Sequence, residues 1–386
     1  MRRHLVATFA ALSVGLASCS SEATPPADPT PSPSGGASTV ASTSEAPAVP
    51  AEELAGRLLG VGVTDFESAV EAVDLGVRHL FIGTQTDKSI LNGQGDPTRS
   101  LAALEERAGE PLVVSVDEEG GLVQRLAELI GPLPSAREMA ETMNPEQVRG
   151  LMAEHGRKIR ELGITVDFAP VVDLGVGAEI SDNAIGSRAF SADPVAAADY
   201  ARAYAQGLLD AGVTPVLKHF PGHGHATGDS HLGGVTTPPL GEMQDVDLLP
   251  FAELVGMEGV SVMVGHVQVP GLDGTAGPGI EVPSSVNPAA YDLLRAGGYG
   301  PGGAAPGFGG VIYTDDLTGM KAVTDLHPGG SAAVAALEAG ADIALAAAGA
   351  VSIPEVVEQI RLAIVEGKIS EEHVRAAVER AAGSGR

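Results

Sequence analysis

Two groups of residues in this chain carry the ingredients of chemistry. Asp117, the pair Lys218-His219, His266 and the pair Asp315-Asp316 each stand at the end of a short apolar run. A charged group at the tip of a run such as Leu112-Val113-Val114-Ser115-Val116 costs desolvation energy unless something there uses it. The second group lies in the segment Lys218 to His231, which is too rich in Gly, Pro and His for a helix and is read as a long loop. Its His223, His225, Asp229 and His231 fit two chemistries: a metal cage, or a histidine-carboxylate pair that transfers protons. Spacing alone does not choose between them.

These residues need elements to hold them. From Glu52 onward, short β-branched runs alternate with longer Ala/Leu/Glu stretches of helical period, the pattern of a parallel α/β fold. Strands are predicted at 58–63, 79–83, 112–117, 165–168, 213–218, 260–265, 310–314 and 342–346. Helices are predicted near 66–75, 99–107, 145–162, 194–211, 246–256, 288–296 and 330–339, and from Pro354 to the C-terminus; several open on Pro in the first turn. Eight βα units fit a single (β/α)8 barrel of the TIM type, with an open doubly wound sheet as the alternative. In a barrel the tips of strands three, five, six and seven share one mouth, so the scattered polar residues converge there.

The first fifty residues read differently. Met1 to Ser18 has a basic start, an apolar run from Leu5 to Leu16 and small residues, the pattern of a secretory signal too short to span a membrane. It runs into Leu16-Ala17-Ser18-Cys19, and Cys19 is the only cysteine, so an internal disulfide is excluded. The tetrad resembles a bacterial lipobox, which implies a lipid on Cys19; a soluble secreted protein with a stray thiol is the alternative. Ser20 to Pro50 is Ser, Thr, Ala, Pro and Gly without apolar periodicity, and reads as a flexible spacer. The expected organisation is a signal at 1–18, a lipidated Cys and linker at 19–50, and a catalytic domain at 51–386. A formal charge of −27, with 50 acids against 23 Lys plus Arg and no basic stripe, argues against nucleic acid or anionic lipid as partners. Membrane contact is expected only through the lipid.

The loop Lys218-His219-Phe220-Pro221-Gly222-His223-Gly224, followed four residues later by Asp229-Ser230-His231, resembles the signature of the β-N-acetylglucosaminidase branch of glycoside hydrolase family 3. Tyr313-Thr314-Asp315-Asp316-Leu317 resembles that family's nucleophile strand. The resemblance covers most of Leu54 to Ala382, with Val116 to Gly121, Val123 to Arg125, Phe168 to Asp173 and Ser187 to Phe190 in the family's order. It implies that Asp315 is the nucleophile, with Asp316 as a minor alternative, and that His231 with Asp229 forms a general acid/base dyad on a mobile loop. It implies sugar-binding roles for Asp117, Arg125, Arg188, Lys218 and His219, with no cofactor and no metal. Three departures stand out: Leu122 where relatives often carry Arg, Glu118 where many carry Gln, and a Gly/Pro insertion from Gly297 to Gly309. The first two leave the site intact and are expected to alter its rim; the third is expected to disturb the register of the seventh strand, which keeps Asp316 as the alternative to Asp315.

The implied chemistry is coherent. A carboxylate attacks the anomeric carbon from one face of the sugar, and an imidazole, titrating near ~6.5 when unperturbed, protonates the leaving oxygen from the other. Asp229 would orient His231 and raise its pKa. Gly222, Gly224 and Gly228 would let the loop swing His231 in when sugar is bound. The expected activity is a retaining exo-β-N-acetylglucosaminidase, acting as a monomer on N-acetylglucosamine-containing muropeptides or glycosides outside the cytoplasmic membrane. A β-glucosidase or N-acetylglucosamine phosphorylase, a metal-dependent barrel hydrolase, and a non-catalytic sugar-binding lipoprotein are the alternatives.

Overall fold

The computed structural model describes residues 49–175, 185–228, 233–274 and 282–383. The expected signal, Cys19 and nearly all of the linker lie outside the described residues. A short 3-10 helix, Ala51–Leu58, leads into β1 (Leu59–Val63), followed by β2 (His79–Ile82), β3 (Val113–Val116), β4 (Val166–Asp167), β5 (Thr214–Phe220), β6 (Ser261–Val264), β7 (Ile312–Thr314) and β8 (Ala344–Ala346). All pair in parallel, in the order β7-β6-β5-β4-β3-β2-β1-β8, and a bridge from Tyr313 to Ile343 closes the ring. Closure excludes the open doubly wound alternative, and all eight expected strands are present.

The strands are near-continuous apolar runs because both faces are covered. One face packs inside the ring, where Phe81, Phe168 and Tyr313 make a chain of ring contacts at 5.5 and 5.4 Å with Val216, Met263 and Leu345 around them. The other face meets the helices: α1 (Phe66–Asp74), α2 (Leu101–Ala108), α3 (Pro145–Glu161), α4 (Pro194–Asp210), α5 (Leu248–Leu254), α6 (Pro288–Ala296), α7 (Ser331–Ala339), α8 (Ile353–Val365) and α9 (Glu371–Gly383). Local chemistry fixes where these start. Asp65 and Ser68 form a reciprocal cap on α1, Asn144 and Gln147 one on α3, and Pro follows the cap of α3, α4 and α6.

Three expectations need correction. The segment from Pro354 onward is two helices, α8 and α9. Strand β5 continues through Phe220, so Lys218 and His219 lie inside it rather than in the loop beyond. The Gly297 to Gly309 insertion does not disturb β7, which pairs with β6 in simple register, Tyr313 opposite Met263. Instead the insertion folds back on the barrel, burying Tyr299 against the Phe220 ring at 5.5 Å.

Candidate active site

Strand β3 ends at Val116, and the next three residues are all acids that face different partners. Asp117 accepts from Lys218 Nζ at 2.8 Å and lies 3.8 Å from Arg125 Nη2. Glu119 is clasped by Lys218 at 2.6 Å and by Arg188 through two bonds at 2.7 and 2.8 Å. Glu118 turns the other way, into the protein, and is fully buried.

Strand β5 supplies the cation at the centre of this cluster through a local irregularity. Its pairing with β6 slips between Lys218 and Phe220, so His219 is an extra residue. Val216 packs inside the ring and Leu217 outside; Lys218 and His219 then both reach the mouth, and Phe220 turns outward again onto Phe251. The His219 ring donates from Nδ1 to Asp173 at 2.6 Å, and Asp173 also accepts the His219 and His223 amides. His219 Nε2 lies 3.5 Å from Arg188 Nη2 and 3.9 Å from Asp315 Oδ2.

The two aspartates after β7 have opposite environments. Asp316 is saturated: its Oδ1 accepts from the Thr318 amide and hydroxyl and the Ala347 amide, and its Oδ2 from the Gly319 amide. Asp315 uses Oδ1 for the Asp316 amide at 2.8 Å, whereas Oδ2 makes no hydrogen bond to a described residue. Asp315 lines a cavity of about 260 Å³ together with Phe81, Asp117, Arg125 and Met320. Burial would raise its pKa, but His219, His266, the Asp316 amide and Lys218 outweigh that and hold it at about 2. Glu119 is held at about 2 in the same way, burial being overcome by Lys218 and Arg188. Lys218 is pushed up: burial opposes its charge, and Asp117 and Glu119 more than restore it.

Asp117, Arg125, Arg188, Lys218, His219 and Asp315 are therefore brought together at one mouth. Asp229 and His231 lie outside the described residues. His266 is a buried strut, its ring joined to the Ser285 hydroxyl at 2.7 Å and the Asp316 carbonyl at 2.8 Å, and burial lowers its pKa against the pull of Asp315. Of the remaining candidates for a metal cage, His225 is paired with Asp247 at 3.0 Å, while His223 packs edge-on to His219 with neither ring nitrogen bonded. Among the described residues no three His, Cys, Asp or Glu side chains gather as a metal site. Two loop glycines answer to packing: a Cβ at Gly222 would meet Asp247 Cβ at 2.7 Å, and one at Gly224 would meet the Leu174 backbone at 2.7 Å. The first half of the loop is thus docked on the barrel.

The sequence reading missed Glu119, which orients Lys218 and Arg188, and Asp173, which orients the His219 ring, and misplaced Glu118, which sits beneath the rim rather than on it. Asp173 closes an apolar run, Val171-Val172, and so carried the same signal as Asp117. Leu122, by contrast, is 88% exposed on the turn of the short antiparallel hairpin, Glu118–Gly120 with Val123–Gln124, that follows β3.

Comparison with known proteins places this geometry. The family model "Glycosyl hydrolase family 3 N terminal domain" matches residues 54–383. The chain is 48% identical over 304 residues to the beta-hexosaminidase LpqI of Mycobacterium tuberculosis, covering 78% of this chain and 74% of that protein. It is 36% identical over 251 residues to a beta-hexosaminidase of Xylella fastidiosa, covering 63% and 69%. A crystal structure of a GH3 family glycosyl hydrolase from Mycobacterium smegmatis superposes with a TM-score of 0.80 at 48% identity, over 88% of this chain and 98% of that one. A family 3 beta-N-acetylglucosaminidase from Paenibacillus sp. superposes with a TM-score of 0.74 at 26% identity, over 86% and 62%. A closed parallel barrel with its ionised carboxylates at the strand tips, matched over nearly all of its length by one family, leaves a single assignment: the chain belongs to glycosyl hydrolase family 3 and is a glycoside hydrolase.

Proposed function

We propose that this chain is a retaining exo-β-N-acetylglucosaminidase that removes terminal β-linked N-acetylglucosamine from peptidoglycan-derived sugars, with Asp315 as nucleophile. The observation that carries the reading is the contrast between neighbours: Asp316 has both oxygens occupied by backbone and hydroxyl donors, whereas Asp315 Oδ2 accepts no hydrogen bond from a described residue and lies beside the cavity that Asp117 and Arg125 line. The names of the similar proteins support the substrate class.

In the first step an Asp315 oxygen bonds to the anomeric carbon, the glycosidic bond breaks, and the leaving oxygen takes a proton from His231. In the second, a water gives its proton to His231 and attacks the same carbon, freeing the Asp315 carboxylate. A carboxyl held near 2 is ionised at working pH and ready to attack. Asp229 orients His231. Lys218, Arg125 and Arg188 donate to sugar hydroxyls, His219 lies between Arg188 and Asp315, and Asp117 accepts; desolvated polar groups of this kind reject sugars lacking the matching hydroxyl.

The deciding experiment is hydrolysis of paired chromogenic β-N-acetylglucosaminide and β-glucoside by wild type, Asp315→Ala and His231→Ala. Selective cleavage of the first by wild type, lost in both variants, is expected. Cleavage of neither would return the chain to the sugar-binding reading. The protein acts as a monomer outside the cytoplasmic membrane, held by a lipid on Cys19; the tetrad Leu16-Ala17-Ser18-Cys19 supports this, and Cys19→Ala should move it from the membrane fraction to the soluble one. Unchanged fractionation would remove the anchor.

A further inference from the structure

We infer that Glu118 is a positioning residue that sets the Arg125 guanidinium in place at the mouth. Its side chain has no solvent exposure, so it cannot touch substrate. Yet both of its oxygens are fully used. Oε2 accepts the Arg125 amide at 2.8 Å and the Leu126 amide at 3.0 Å. Oε1 accepts Gln124 Nε2 at 2.9 Å and meets His155 Nε2 at 3.1 Å. His155 projects from α3, itself buried, so the carboxyl ties the returning hairpin strand and the backbone of Arg125 to the helix layer.

The arrangement holds what it surrounds. The Glu118 amide donates to Asp167 at 3.0 Å and its carbonyl accepts from the Tyr204 hydroxyl at 2.9 Å, so the clamp itself is fixed at the tip of β3. Gln124 is fixed too, its Nε2 reaching the Gly131 carbonyl and its Oε1 accepting the Leu133 amide. Arg125 gains no such restraint from its own side chain. Among the described residues its Nε is buried without a hydrogen-bond partner and its one ion pair is with Asp117 at 3.8 Å. The position of that guanidinium therefore depends on its backbone, and the backbone depends on Glu118.

Chemistry explains why the residue type matters. Three of the four groups facing the side chain are N–H donors, and the fourth, His155 Nε2, donates in the tautomer that a carboxylate selects; a carboxylate offers about four acceptor sites on two oxygens. A glutamine offers one acceptor oxygen and one NH₂: turned with the NH₂ toward the two backbone amides it loses both of those bonds, and turned the other way it loses the bond from Gln124 and keeps His155 only if the imidazole switches to the tautomer that accepts.

The inference rests on the proposed reading of Arg125 as a sugar contact, and the test separates the two. Glu118→Gln, Arg125→Ala and the double variant are compared by kcat and KM on a chromogenic β-N-acetylglucosaminide. Glu118→Gln should raise KM about tenfold with kcat within about threefold, the pattern of lost binding rather than lost chemistry. In the Arg125→Ala background the same substitution should add less than about twofold, because groups acting through one another are not additive. A full additional tenfold there, or an effect on kcat alone, would overturn the inference; so would a lower melting temperature with unchanged KM. Should Glu118→Gln fail to fold, His155→Phe removes one donor and should raise KM about threefold, while His155→Gln, which keeps a donor, should restore it; equal KM in both variants sinks the idea. Arg125→Ala with wild-type KM would instead refute the sugar-contact reading itself.

Discussion

The two ends of the barrel each hold an aspartate largely withdrawn from solvent, and they are not alike. At the floor, Asp342 precedes β8 with no exposure and four donors on its two oxygens: Arg295 at 2.6 Å and the Ile312 amide at 2.8 Å on Oδ2, Arg380 at 2.6 and 3.1 Å on Oδ1. At the mouth, Asp315 follows β7, keeps 16% of its side chain exposed and leaves one oxygen without a hydrogen bond from any described residue. Both sit among cations. Neighbouring charge therefore does not distinguish a structural carboxylate from a reactive one; exposure to the opening and unmet hydrogen-bonding capacity do.

That contrast can be broken experimentally, starting where the effect is greatest. Asp315→Ala should lower kcat on the order of 10⁴-fold while the protein keeps its melting temperature within a few degrees; a loss of tenfold or less would remove the distinction between the two ends. Asp342→Asn should do the reverse, costing about 3–5 kcal/mol in denaturant unfolding because two arginines lose their counter-charge, with kcat of the folded enzyme unchanged. A drop in kcat at full stability would show the floor to be coupled to the chemistry.

A third, smaller effect concerns acid. Asp315 and Glu119 titrate at about 2 in the fold, below the ~3.9 and ~4.3 of free Asp and Glu, so the stability they contribute is present above the unfolded values and is lost as pH falls toward 2. The denaturant midpoint should fall between about pH 4 and 2, and Glu119→Gln should flatten that fall; an identical slope in the variant would discount the Glu119 network. Smallest of all, Leu122→Ser should change stability by less than about 0.5 kcal/mol, since its side chain is exposed on the turn and buries little. A larger shift would mean that the exposed turn is packed in solution.

Much of this was legible from the chain alone, for identifiable reasons. Parallel strands buried on both faces leave long apolar runs, so even β4, with only Val166 and Asp167 in the ladder, was visible through its flanks. Asp315 and Lys218 were found because a charge ending such a run is conspicuous. What stayed hidden was direction. Asp117, Glu118 and Glu119 are consecutive, and nothing in their order says that one faces the cavity, one the helix layer and one the paired cations. The gap between α8 and α9 was readable and passed over: Gly367, at a φ of 72°, ends one helix, and the Ser370 hydroxyl accepts the His373 amide at the start of the next. The Asp229 and His231 expectations rest on sequence likeness, since those residues lie outside the described ones.

The slipped residue in β5 has a consequence for how much function a narrow ring can hold. Regular alternation would send one of any two neighbouring side chains to the helix layer, so each strand could dedicate only a single terminal position to the cavity. By doubling up at 218 and 219, one strand delivers an ammonium and an imidazole side by side, and the ring gains a functional group without gaining circumference. It also ties that gain to chain length: no substitution at either position can undo it as completely as the deletion of one residue, which would restore the pleat and turn one of the two away from the opening.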